Sequence, residues 1–155
     1  MQIRLDYSKA APGSVQAMYK LQKYVDESGL EHSLLELVKT RVSQINGCAF
    51  CIDMHTKDAR AAGETEQRLY GLSAWREAPY YSERERAALA WAEVVTLVSQ
   101  THASDEEYEA ARAQFSAEEL IKLTVVVIAI NGWNRLAAAS REAAGTYKAS
   151  ATTTW

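Results

Sequence analysis

The chain holds two cysteines, three residues apart in the run Cys48-Ala49-Phe50-Cys51. Thiols at that spacing on a helix can close a disulfide across one turn, or act together as thiolates. His55 follows one turn further on. At about 100° per residue, positions i, i+3 and i+7 fall within an arc of roughly 60°, so Cys48, Cys51 and His55 share one helix face. The first turn of that helix offers free N–H groups and a partial positive charge, which favour thiolate over thiol. An imidazole beside such a thiol can take its proton and later return one to the leaving oxygen of a peroxide. A base also needs an orienter. Glu36 lies on the preceding segment, and a reversal at Asn46-Gly47 would bring its carboxylate back alongside His55.

Other chemistries fit this set less well. Cys48, Cys51 and His55 could ligate zinc, but a structural zinc takes four ligands, and neither His32 nor His102 has the spacing of a fourth. Haem attachment needs a histidine directly after the second cysteine, where Ile52 stands. No metal and no cofactor is expected. Trp91, Trp133 and Tyr80 suit core or subunit contacts better than a cofactor site. Asn131 and Asn134 read as buried hydrogen-bonding residues, Asp53 and Asp58 as solvated flanks, and His32 and His102 as surface residues.

The elements that must position these residues are helices. Pro12 opens one whose apolar positions Val15, Met18, Leu21 and Val25 recur at helical spacing, and Gly29 stops it. A second runs from about Ser33 to Asn46-Gly47, and the cysteine helix follows, from 48 to Gly63. A short helix over Thr65 to Tyr70 leads to an ordered connection at 72–81. Three Ser-x-x-Glu capping boxes, Ser82 with Glu85, Ser104 with Glu107 and Ser116 with Glu119, launch helices over about 82–100, 104–114 and 116–143. Gly145 is read as the last stop, with a polar tail at 146–155. The alternating run Ile3-Arg4-Leu5-Asp6-Tyr7 is too short to anchor a sheet. Val125, Val126 and Val127 favour strands by type but sit inside a capped helix. The expectation is a single all-α domain over 1–155, a helical bundle with the cysteine pair at a helix N-terminus.

Bulk properties agree. With 155 residues, 48% hydrophobic, the chain can bury a core of its own. A net charge of -3, with basic residues scattered among acidic ones, gives no nucleic-acid surface. Residues 1 to 8 lack the apolar stretch of a signal peptide, and the apolar run Leu123 to Ile130 is shorter than the roughly 20 residues of a membrane span. A cytoplasmic protein with a redox-active cysteine pair is expected, with no membrane partner.

The pattern Glu36, Cys48, Cys51, His55 resembles the alkylhydroperoxidase D-like branch of the carboxymuconolactone decarboxylase family. So do SERERAALAWAE from Ser82 and LTVVVIAINGWNRLAAASR from Leu123. The resemblance covers about residues 30 to 143. It implies an all-α fold assembled into trimers or hexamers, and a proton relay from Glu36 through His55 to the cysteines. It further implies a hydroperoxide substrate and an outside dithiol as reductant. The best-known members carry a second histidine just before the second cysteine, where this chain has Phe50, which removes one proton donor. The decarboxylases that name the family lack the paired cysteines. Nearness to His55 favours Cys51 as the attacking thiolate and Cys48, at the helix mouth, as the resolving thiol.

Overall fold

The computed structural model describes residues 2–149, and the polar tail around Thr152, Thr153 and Thr154 lies outside them. The described residues form nine α-helices and one 3₁₀ turn, with no strand among them. Short α1 (Tyr7–Ala10), absent from the sequence expectation, is capped by Asp6. It is followed by α2 (Pro12–Asp26), α3 (His32–Ile45), α4 (Ala49–Ala61) and α5 (Glu66–Tyr70). A 3₁₀ turn at Leu72–Ala74 leads to α6 (Glu83–Thr96), α7 (Val98–Thr101), α8 (Asp105–Arg112) and α9 (Ala117–Ser140).

All three capping boxes form, each serine accepting the N–H of the glutamate three residues on while that carboxylate accepts the N–H of the serine. Two boundaries differ from expectation. The helix from Ser82 breaks at Leu97 rather than running to 100, because the Thr101 hydroxyl takes the Val94 carbonyl (2.8 Å) that a continuing helix would have used. The last helix ends at Ser140 rather than 143. Arg141 adopts the left-handed conformation (φ 57°), the N–H of Glu142 bonds Ala137 O, and that of Arg141 bonds Ala138 O. A paired C-terminal lock of this kind is usually built on glycine, so Gly145 misleads as the stop.

α3 lies at the centre, against α4, α6 and α9. Val38 and Val42 of α3, Ala88 and Ala92 of α6, and Leu123, Val126 and Val127 of α9 are all but fully buried in one cluster. Each buried valine or leucine is worth roughly 1.5–3 kcal/mol, which holds the valine run helical against its local preference. A second cluster, with Leu37, Leu72, Trp75, Tyr81 and Leu89, seats the connection between α5 and α6. Arg86 pins that connection by donating to the carbonyls of Trp75, Arg76 and Ala78. By length and composition α9 as a whole does reach what a membrane span needs, unlike its apolar centre alone. Here it packs against α2, α3 and α6.

Candidate active site

The chain reverses between α3 and α4 at Asn46 and Gly47, where Gly47 takes φ +64°, a conformation that favours glycine. The reversal is tied to α9 by side chains. Asn46 Nδ2 donates to Asn131 Oδ1 (3.0 Å) and Asn134 Oδ1 (2.8 Å), and Asn134 Nδ2 donates to Ser43 Oγ (3.0 Å). Asn134 is buried, as the sequence suggested, and its work is to fix the turn that sets α4 against α3.

Cys48 is the N-cap of α4, and its Sγ accepts the N–H of Cys51 at 3.3 Å. Cys48 and Cys51 are paired as a disulfide, with their Cα atoms 5.4 Å apart. Cys48 thus stands at the helix mouth, and both cysteines are buried, at 3% and 1% exposure. Ala137 of α9 and Phe50 cover them.

One turn on, His55 is buried against α3. Its Nδ1 lies 3.0 Å from Glu36 Oε2. A carboxylate only accepts, so Nδ1 carries the proton of this bond. That Nε2 is buried without a hydrogen-bond partner. Glu36 Oε1 accepts from Lys39 Nζ at 3.0 Å. Burial alone would raise the Glu36 pKa. The hydrogen bond and charge of His55, with those of Lys39, outweigh it and hold the carboxyl at about 2. Glu36 is therefore a buried anion rather than the solvated helix residue its type suggests.

Cys51 and His55 open onto one cavity of about 360 Å³, whose other walls include Phe50, Met54, Trp133 and Tyr147. Trp133 is thus a cavity wall as well as a packing residue, its Nε1 donating to Gln22 Oε1 at 3.2 Å. Trp91 belongs to the core.

Asp58 is half-buried rather than solvated. Burial raises its carboxyl pKa, and the Tyr147 hydroxyl donates to it at 2.8 Å. Asp53 pairs with Lys57 (2.8 Å) and accepts the N–H of Gly145 (3.1 Å). His32 differs too. Its ring is one-third exposed, but its Nε2 is buried, 3.9 Å from Glu36 Oε1. His102 is exposed. Glu36, His55 and Asp58 bring donor atoms within 4.8 Å of one another, but the Lys39 ammonium already neutralises Glu36 there.

The structure sets Glu36 against His55, pairs Cys48 with Cys51, and places Cys51 and His55 on one cavity. Sequence reasoning missed Lys39, Asp58 and Tyr147. Lys39 stands at i+3 from Glu36, an ion-pair spacing that could have signalled it. Nothing in the sequence brings Tyr147 to α4.

Comparison with known proteins places the chain. It is 45% identical over 139 residues to the uncharacterized protein YdfG of Bacillus subtilis, covering 90% of this chain and 95% of that one. The structure of ATU0492 from Agrobacterium tumefaciens, a protein of unknown function and candidate antioxidant defence protein AhpD, is 46% identical. It superposes with a TM-score of 0.91 over 94% of this chain and all of that one. An alkylhydroperoxidase AhpD core from Ralstonia eutropha JMP134 shares the fold at 19% identity, with a TM-score of 0.79 over 90% of this chain and 74% of that one. The family model of the carboxymuconolactone decarboxylases matches residues 12–94. With its cysteine pair at a helix start and a glutamate-bound histidine one turn away, the chain belongs to the carboxymuconolactone decarboxylase family, as an alkylhydroperoxidase D-like member.

Proposed function

We propose that the protein is a dithiol-dependent hydroperoxide reductase. The observation that carries this reading is the buried His55 Nε2. Glu36 engages the other ring nitrogen, Nε2 has no hydrogen-bond partner, and the ring shares a cavity with Cys51. In the reduced enzyme Nε2 takes the Cys51 proton, and Glu36 stabilises the imidazolium that forms. The thiolate attacks the nearer peroxide oxygen and the O–O bond breaks. The alcohol leaves with the proton from His55, and Cys51 becomes a sulfenic acid. The Cys48 thiol then attacks that sulfur, releasing water and forming the disulfide. An outside dithiol returns the pair to thiols by exchange, itself becoming a disulfide.

The cavity supports an organic peroxide over hydrogen peroxide, since Phe50, Met54 and Trp133 offer apolar surface for the group beyond the O–O bond. Assembly into a trimer or hexamer forms part of the same reading. Ile121 and Ile128, exposed at 63% and 53%, stand on one face of α9.

A thiol–disulfide relay with little peroxidase activity is the second reading, favoured by Phe50 in place of a histidine. Both readings need an outside thiol to reach a sulfur, so they part at the oxidant, a peroxide or a partner's disulfide.

The test is thiol titration with intact mass, before and after one equivalent of an organic hydroperoxide. Loss of both thiols and about 2 Da marks a peroxide-driven disulfide. Thiols that survive peroxide but yield to a disulfide reagent favour the relay. Thiols inert to both overturn the redox reading.

A further inference from the structure

The segment after α9 crosses back over α4, and three α4 side chains hold it. Asp53 accepts the N–H of Gly145 at 3.1 Å, Lys57 Nζ donates to the Tyr147 carbonyl at 2.9 Å, and Asp58 accepts the Tyr147 hydroxyl at 2.8 Å. Backbone and side chain of Tyr147 are thus both fixed. The residue is half-buried, and it borders two cavities. One is the cavity of Cys51 and His55. The other, of about 740 Å³, is lined by Gln44, Ile52, Thr56 and Tyr70 among others. Tyr147 is common to the linings of both.

We propose that Tyr147 is a specificity-determining residue of the Cys51 pocket, and that Asp58 is a positioning residue that holds it as the end wall. The proposal rests on the reductase reading and adds which peroxides are admitted. With Tyr147 in place, the organic group must fit within the smaller cavity. Without it, the pocket continues into the larger one and admits a longer or bulkier hydroperoxide. The hydroxyl hydrogen of Tyr147 is committed to Asp58, so the phenol turns an oxygen acceptor and a ring, but no free donor, toward the substrate.

The pair also bears on the proton chemistry. Asp58 faces Glu36 and Lys39 from α3, His55 from its own helix and Tyr147 from the segment after α9, and the same cavity holds Asp26 of α2 and Tyr7 of α1. Burial raises the Asp58 pKa and the Tyr147 bond lowers it. Losing the phenol hydroxyl therefore lets Asp58 take up a proton at higher pH, removing a negative charge that favours the His55 imidazolium.

The experiment follows thiol oxidation of the reduced protein by hydrogen peroxide and by cumene hydroperoxide, in wild type, Tyr147→Ala and Tyr147→Phe. Alkylation by iodoacetamide and by a bulky maleimide is measured in parallel. Tyr147→Ala should raise the cumene-to-hydrogen-peroxide rate ratio about 10-fold or more, the scale on which pocket walls discriminate. The bulky-to-small alkylation ratio should rise with it. Tyr147→Phe should keep both ratios near wild type and displace the acid limb of the pH profile, since the charge on Asp58 then changes at a higher pH. Unchanged ratios in Tyr147→Ala overturn the proposal, and so does an acid limb that stays in place in Tyr147→Phe. If neither peroxide oxidises the wild type, the reductase reading fails instead, and the alkylation ratio still decides whether Tyr147 is the wall.

Discussion

His55 is asked to do two things with two nitrogens, and the structure separates them. Nδ1 is held by Glu36, while Nε2 is left free in the dark of the cavity. Removing the ring in His55→Ala removes the base but fills no other role in the core clusters. Oxidation of the reduced thiols by peroxide should slow about 10²- to 10⁴-fold, the usual range for a general base, with the helical circular dichroism retained. A wild-type rate in stopped-flow would exclude His55 as the base. The type and spacing of Cys48, Cys51 and His55 were enough to expect their shared face, because one helix relates them. Glu36 needed the family pattern, since a glutamate on an amphipathic helix is ordinarily solvated. Asp58 was misread for the same reason.

At the scale of elements, the site depends on how α3 and α4 meet. Asn134 holds both sides of the turn, accepting from Asn46 and donating to Ser43. Asn134→Ala leaves both partners without it in a buried place and should destabilise the fold by about 1–3 kcal/mol in urea unfolding. Peroxide reactivity should fall too, as the turn loosens. An unchanged unfolding midpoint would show that the Asn46 contact is dispensable. The helices themselves were readable because capping boxes are local, closing within four residues at Ser82, Ser104 and Ser116. The breaks at Leu97 and Arg141 were not, because each rests on a side-chain bond or a left-handed residue with no composition signal. The Asn46–Asn134 tie and the Asp58–Tyr147 bond join residues 88 and 89 positions apart, so only the tertiary fold makes them.

For the molecule as a whole, Glu36 ties stability to pH. Its folded pKa of about 2 lies below the ordinary 4.5. The stabilisation is therefore fully present above about pH 4.5 and is lost as pH falls toward 2, by roughly 3 kcal/mol in all. Unfolding midpoints across pH 2–5 should fall steeply in wild type and less so in Glu36→Gln. Parallel curves would contradict an ionised buried Glu36. The exposed face of α9 makes a second expectation, that wild type sediments as a trimer or hexamer and Ile121→Asp with Ile128→Asp as a smaller species. A wild-type monomer would remove that part of the reading. The long separation between the thiols and their cover has a further consequence, for the chain while it is being made. Asn46 precedes the Asn134 that locks its turn by 88 residues. At synthesis rates of about 5–20 residues per second, that is an interval of roughly 4–18 s in which both cysteines stand outside any pocket. In that interval the pair meets the oxidants and reductants around the nascent chain before its cover exists.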